Sequence, residues 1–392
     1  MLHVLYLVHD LVDPAVRRRV MMLQGGGAGI TLAGFRRGDT PADGIEGLTA
    51  VDLGATRDGK FAQRLKAVAQ AAFSLADRLR GISRPDVIIA RNLEMLALAN
   101  RANTLFGGDV PIVYECLDIH RLLLRDDPVG KALRHAERRL GRGASLLLTS
   151  SPAFVRHYFE PYGQIDAPVV LLENKILSLG REVHAPVATA SAPAPGTPWK
   201  IGWFGALRCS RSLKLLAEFS RRMEGRFRIV LRGRPAYTEF DDFDRLVAAE
   251  PFMDFHGAYR NPEDLADIYA DVHFSWAIDF FEAGLNSNWL LPNRLYEGCR
   301  HGVVPIAMRD VETGRFLAGR GIGALLAEPS TGALISLIGG MDAETYRGLS
   351  RSVTVEDPKS WVCDEDDCRV LVERLAALTA GRHAAVPLRA AA

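Results

Sequence analysis

The chain has 392 residues, with 48 basic against 47 acidic side chains and a hydrophobic share of 48%. That length predicts two domains of roughly 180 residues each, with cores too substantial for a disordered protein. A net charge of +1 supplies no global attraction to nucleic acid or membrane, so a membrane would need a local patch, and nucleic acid is not expected as a partner.

The start, "MLHVLYLVHD", reads as a strand without a basic leader or cleavage site. Asp13 and Pro14 then form an N-cap and first turn, "AVRRRVMML" continues as a helix, and "GGGAG" closes it before the strand "ITLAGF". A long amphipathic helix follows, "KFAQRLKAVAQAAFSLADRLRG", with Phe61, Leu65, Val68, Ala72, Leu75 and Leu79 at helical spacing. Next come "DVIIAR", a helix, "IVYEC", a helix ending in "KALRHAERRLG", then "SLLLTS" and "VVLLEN". Strand and helix alternate, which predicts an α/β fold with a parallel sheet covered on both faces.

"HAPVATASAPAPGTP", residues 184–198, is Ala/Pro-rich and reads as a linker. A second alternation begins after it: "WKIGWFG", a helix from about Ser212, "FRIVLRG", a helix near 241–249, "MDFHG", a helix near 262–269 and "VHFSWA". "LPNRLYEGCRHGVVPIA" then places Pro292 in a first helical turn, Gly302 at the stop, and a strand buried on both faces from Val303 to Ala307. The expected organisation is residues 1–183, a linker at 184–198, residues 199–360, a C-terminal helix at 361–380 and a flexible tail at 381–392. No apolar run approaches the ~18 residues of a spanning helix.

Several chemistries are excluded by position. The "GGGAG" run follows a helix rather than opening one, so it cannot present a helix N-terminus to a dinucleotide pyrophosphate. Five cysteines lack zinc spacing, and Cys363 and Cys368 flank "DEDD" with no second ligand pair nearby. Reduced thiols in a cytoplasmic protein, and no metal or cofactor, are the expectation.

The positive candidates lie where strands end. "GALRCSRSLK" joins a strand to a helix and carries Arg208, Arg211 and Lys214 beside backbone N–H groups that favour an anion. Arg232 and Arg234 close the next strand on the same edge, where parallel sheets bind ligands. In the first half, "YECLDIHR" gathers Glu115, Asp118 and His120; Glu115 points along the strand, whereas Asp118 and His120 fall at its end. His9 and Asp10 occupy the matching end of the first strand. Lys131, Arg134, Arg138, Arg139 and Arg142, with His135, give the helix near 130–142 a basic surface suited to anionic lipid. Glu297, inside a short helix, is either a solvated residue or a hydrogen-bond acceptor for a ligand above the helix start.

Taken together these segments resemble a GT-B glycosyltransferase of the family 4 type. "DPAVRRRVMMLQGGGAGITLAGFRR" resembles that family's first helix and second strand, "IGWFGALRCSRSLKLL" the opening of its nucleotide-binding domain, and "LPNRLYEGCRHGVVPIA" its Pro-x-Lys/Arg-Leu-x-Glu segment. The resemblance implies two Rossmann-like domains with parallel sheets facing a central cleft. It implies sugar transfer from a nucleotide-sugar to a saccharide or polyprenyl-linked acceptor in bacterial polysaccharide biosynthesis. Gly205, Arg208, Arg211 and Arg232 would hold the donor diphosphate, and Glu297 the donor ribose. The family's other glutamate is replaced by Trp289, so Glu282, Asn286, Asn288, Asn293 and Arg294 would grip the sugar. Retention is the outcome the family implies; an inverting reaction would need a base, Asp118 first and His120 second. The C-terminal helix would pack on the first domain, and attachment would be to the inner membrane face. A non-hydrolysing UDP-sugar epimerase and an inactive binding protein share this architecture.

Overall fold

The computed structural model describes residues 1–37, 44–56, 61–180 and 189–380, so the expected tail at 381–392 and the first part of the linker lie outside the described residues. The chain divides into two compact units. The first holds Met1–Glu173, Leu177–Gly180 and residues 363–380; the second holds Asn174–Ile176 and residues 189–362.

Unit 1 is built on a seven-stranded parallel sheet. Its strands are β1 (His3–Val8), β2 (Gly29–Arg37), β3 (Val51–Thr56), β4 (Val87–Arg91), β5 (Ile112–Cys116), β6 (Ala144–Thr149) and β7 (Val169–Leu171), in the order β3-β2-β1-β4-β5-β6-β7. The order reverses beside β1, and such a switch point opens a crevice at the carboxyl ends of the strands. β4 and β5 are buried along their whole length, as strands covered on both faces must be. β3 is a strand the sequence reading missed: an edge strand, half-exposed, with Asp52 and a Gly54 at φ +113° interrupting its apolar pattern.

β8 (Ile176–Leu177) and β15 (Val362–Cys363) form a two-stranded ladder where the chain passes between units. The helix Glu365–Ala380 then returns to unit 1 and buries Cys368, Leu371, Val372 and Leu375 in a core shared with Val4, Tyr6 and Leu23. Asp364 and Asp367 cap its start reciprocally, each carboxylate accepting the other's backbone N–H at 3.0 and 3.1 Å. The glycine run does more than end the first helix, Pro14–Gly25. A Cβ on Gly26 would stand 2.3 Å from the Cys368 carbonyl oxygen, so only glycine lets the C-terminal helix approach.

Unit 2 repeats the logic with six parallel strands: β9 (Trp199–Leu207), β10 (Phe227–Pro235), β11 (Met253–Phe255), β12 (Phe274–Trp276), β13 (Val304–Met308) and β14 (Ala324–Leu326), ordered β11-β10-β9-β12-β13-β14. One face is covered by the helix Ser210–Arg222, whose Leu213, Leu216 and Phe219 join Ile201, Trp203 and Ile229 in the core. Pro292 sits one position earlier than expected, as the extended residue before the helix Asn293–Arg300.

The helix Pro128–Gly141 corrects the basic patch. Arg134 is buried; its guanidinium donates to the carbonyls of Leu123 and Arg125 and lies 4.4 Å from the Tyr162 ring centroid. Arg138 is spent on the Tyr162 and Gly163 carbonyls at 2.7 and 3.2 Å. Both arginines satisfy carbonyls at and just past the ends of the short turns Arg121–Leu124 and Glu160–Tyr162, which a helical wheel does not display. Arg138 is nonetheless exposed, as are Lys131, His135, Arg139 and Arg142, and the spacing of these last four sets them on one stripe.

The polar centre of unit 1 is Glu115. It is fully buried, accepting from Tyr6 Oη at 2.5 Å, Arg19 Nε at 2.6 Å and Arg91 Nη1 at 3.1 Å, rather than pointing out along its strand. Burial alone would raise its pKa, but Arg19 and Arg91 overcome that and hold it down to about 2. Because the folded value lies below the ordinary 4.5, the stabilisation is complete above that value and is lost as pH falls from 4.5 through about 2. Glu115→Gln should remove about 3–5 kcal/mol at neutral pH by leaving Arg19 and Arg91 buried against a neutral group. Urea denaturation checks this, and the variant's loss should shrink as pH falls through that same window.

Candidate active site

The carboxyl edge of the unit 2 sheet gathers the basic residues. β9 ends at Leu207, and the helix that follows is capped by Cys209, whose sulfur accepts the Ser212 N–H at 3.3 Å. Arg208 Nη2 donates to Asp279 Oδ2 at 3.0 Å, and its guanidinium lies 4.9 Å from the Phe281 ring centroid. Arg211, in the helix's first turn, lies over Phe280 at 4.7 Å. Arg294 enters from the start of the helix Asn293–Arg300, donating to the Ile278 carbonyl at 3.0 Å and standing 4.0 Å from Asp279. Its Nε is buried and has no hydrogen-bond partner among the described residues.

Asp279, three residues past β12, joins these segments. It is 7% exposed, and its second oxygen accepts the Phe281 N–H at 2.8 Å and lies 3.5 Å from Ser287 Oγ. Burial would raise its pKa, yet Arg294 and Arg208 lower it, so the carboxylate stays ionised. Arg294, by contrast, is lowered by burial and by Arg208, against the pull of Asp279. One carboxylate thus faces two guanidinium groups, and the cluster is short of negative charge.

A pocket of about 230 Å³ opens beside it, lined by Arg211, Asp279, Phe280, Asn288, Asp310 and Thr313 among others. Of the residues selected from sequence, Arg211 and Asn288 line this pocket, while Arg208 and Arg294 join it through Asp279. Asn288 also ties the loop to itself, accepting the Gly284 N–H at 2.9 Å, as Ser287 does for Glu282 at 2.9 Å. Glu282 is half-buried, Asn286 is buried, and Asn293 is exposed.

Gly205 and Gly233 are register partners on β9 and β10, and half-buried Arg232 stands beside Phe204. Glu297 is 5% exposed, so it is not a solvated helix residue. Its oxygens accept from Asn261 Nδ2 at 2.9 Å and Tyr269 Oη at 3.1 Å. Asp279, Asn261 and Tyr269 escaped the sequence reading; an acidic residue directly after a strand on an arginine-rich edge is a signal that could have found the first.

In unit 1, Asp118 and His120 both follow β5 and are exposed. His120 Nδ1 accepts the Leu122 N–H at 3.3 Å and so caps a short 3₁₀ turn, Arg121–Leu124. Burial of part of the ring lowers its pKa below the ordinary histidine value. Asp10 is buried, pairs with Arg37 and accepts the Val12 N–H at 3.0 Å. Among the described residues no group of three or more His, Cys, Asp or Glu side chains is placed to hold a metal, and no helix is long and apolar enough to cross a membrane.

Residues 4–175 match the family described as glycosyl transferase 4-like domain. The chain is 60% identical, over its whole length and 98% of the relative's, to the succinoglycan biosynthesis protein ExoL of Rhizobium meliloti (strain 1021). Among solved structures, sucrose-phosphate synthase from Thermosynechococcus elongatus superposes with a TM-score of 0.67 at 12% identity, covering 98% of each chain. Anabaena Alr3699/HepE in complex with UDP and glucose gives 0.64 at 13% identity, covering 96% of this chain and all of that one. These two likenesses establish the shared fold.

The glycine pair gives a test of the site's backbone. A Cβ on Gly233, at φ +136°, would stand 1.8 Å from the Gly205 carbonyl oxygen, whereas one on Gly205, at φ +100°, would meet only the Tyr259 hydroxyl at 3.9 Å. Gly233→Ala should therefore cost roughly 3 kcal/mol of stability, combining clash and strain, against about 1 kcal/mol of strain alone for Gly205→Ala. Urea denaturation of the two variants side by side checks the difference.

Proposed function

The chain belongs to the glycosyl transferase 4-like family, and on that premise we propose that it is a retaining hexosyltransferase that takes its donor diphosphate on Arg208 and Arg211. It is a glycosyltransferase of polysaccharide biosynthesis with two Rossmann-like units, using a nucleotide-sugar donor and a saccharide acceptor. Family membership selects sugar transfer over the epimerase and binding-protein readings. The relative's name supports a place in the assembly of a succinoglycan-like exopolysaccharide.

The observation that carries the donor assignment is the charge balance at Asp279. Two arginines share that buried carboxylate, a third lines the pocket beside it with the exposed Asp310, and a diphosphate would supply negative charge to the buried pair. Glu297, held by Asn261 and Tyr269, is the acceptor for two ribose hydroxyls. As the diphosphate departs, Arg208 and Arg211 stabilise its growing charge, and its oxygen takes the proton of the acceptor hydroxyl. This chemistry needs no metal and no strong general base. Asp118 and His120, at the rim of unit 1, then serve acceptor binding rather than proton removal.

Arg211→Ala should weaken binding of the nucleoside diphosphate by roughly ten- to a hundred-fold and leave the free nucleoside within about three-fold. Calorimetry with both ligands checks this, after a thermal-shift panel of UDP-, GDP-, ADP- and TDP-sugars has chosen the base; equal losses would contradict the assignment.

The acceptor is polyprenyl-linked, and the exposed stripe Lys131, His135, Arg139 and Arg142 holds unit 1 to an anionic membrane surface. Each cation adds about 1 kcal/mol near such a surface. The wild-type chain should sediment with phosphatidylglycerol vesicles at low salt, and Lys131→Glu with Arg139→Glu should abolish this. Arg134→Glu should instead unfold the protein, because that side chain is buried.

A further inference from the structure

Asn92 stands directly after β4, at φ +70° and ψ 168°. That backbone region is essentially reserved for glycine, and a side chain there costs about 1–3 kcal/mol. Nor does the residue recover the cost as a helix cap, because its side chain makes no capping bond to the helix Leu93–Leu105. The amide instead crosses to the end of β1, donating from Nδ2 to His9 Nδ1 at 3.3 Å.

That bond sets the histidine tautomer. With Nδ1 accepting, the ring proton resides on Nε2, which lies 3.8 Å from Asp13 Oδ2. The gap is too long for a direct hydrogen bond. It suits a hydroxyl group placed beside both atoms, which would accept from Nε2–H and donate to the carboxylate. Asp13 is fixed for this by two other bonds, its Oδ1 accepting the Ala15 N–H at 2.8 Å and its Oδ2 accepting Arg91 Nη2 at 3.0 Å. Burial and the Arg91 charge lower the His9 pKa, against the pull of Asp13, so the ring is neutral at pH 7. His9 and Asp13 remain 17% and 22% exposed in the loop between β1 and the helix Pro14–Gly25, beside Asn92 at the end of neighbouring β4 and within reach of a ligand.

We propose that Asn92, His9 and Asp13 form a subsite in unit 1 that recognises one hydroxyl of the acceptor saccharide, and that the strain at Asn92 is the cost of aiming its amide at His9. The proposal rests on the polyprenyl-linked acceptor reading. Asn92 is a positioning residue acting through the ring; His9 and Asp13 touch the hydroxyl.

The test uses the full chain, the nucleotide-sugar chosen by the thermal-shift panel, and polyprenyl-linked saccharides extracted from cells lacking this protein. Asn92→Gly should raise the melting temperature by about 2–4 °C through strain relief. The same variant should raise the acceptor concentration for half-maximal transfer roughly ten-fold or more, with donor affinity unchanged. His9→Ala should show the same acceptor defect without the thermal gain. A residue kept for structure alone would lose stability on replacement and leave acceptor dependence unmoved, so stabilisation with impaired acceptor use is the distinguishing pair. Wild-type transfer by Asn92→Gly, or a fall in its melting temperature, would overturn the inference while leaving the acceptor reading intact. Absence of transfer to the lipid fraction by the wild-type chain would overturn both.

Discussion

The interaction on which the site depends is the contact between Asp279 and the guanidinium groups of Arg208 and Arg294. A buried arginine is tolerated only when paired and hydrogen-bonded, and Arg294 has a carbonyl, a carboxylate 4.0 Å away and an Nε without a partner among the described residues. The same carboxylate also closes the loop that runs from Asp279 to Trp289, through Phe281 and Ser287. One anion therefore sets three segments: the β9 end, the loop and the helix that carries Glu297. Its shortage of charge is the basis of the proposed phosphate site.

Unit 1 solves the same problem with the opposite result. Glu115 has a tyrosine and two arginines, every partner within 3.1 Å, and Arg91 is further matched by Asp13. Its carboxylate is fully paired, although Arg91 Nε, like Arg294 Nε, is buried without a partner among the described residues, and its contribution is stability and the aim of Asp13. A second buried carboxylate, Glu137, is bound by Tyr114, Tyr158 and Gln164 with no cation partner among the described residues, and burial raises its pKa. Comparing the three separates two carboxylates enclosed by their partners from one, Asp279, that is shared by two arginines beside an open pocket.

Most strands were legible because β1, β4, β5, β6 and β13 are apolar runs bounded by turn residues, the pattern of strands buried on both faces. β3 was not, since an edge strand buries little and Gly54 breaks its period. Basic loops at strand ends were legible from charge and position, which is how Arg208 and Arg211 were found. Asp279 and Asn92 were not, because their importance lies in partners on other elements and in a backbone angle. Arg134 was misread for the same reason: periodicity places it on a helix, but only packing sends its guanidinium inward to carbonyls. Gly26 likewise reads as a helix end until the C-terminal helix is seen against it.

The most direct measurement is a crystal structure of the chain with the nucleotide-sugar that binds it. The account predicts the diphosphate within hydrogen-bond distance of Arg208 and Arg211, the ribose hydroxyls on Glu297, and the Asp279 contacts retained. A diphosphate bound away from these arginines, with no ribose hydroxyl on Glu297, would contradict it.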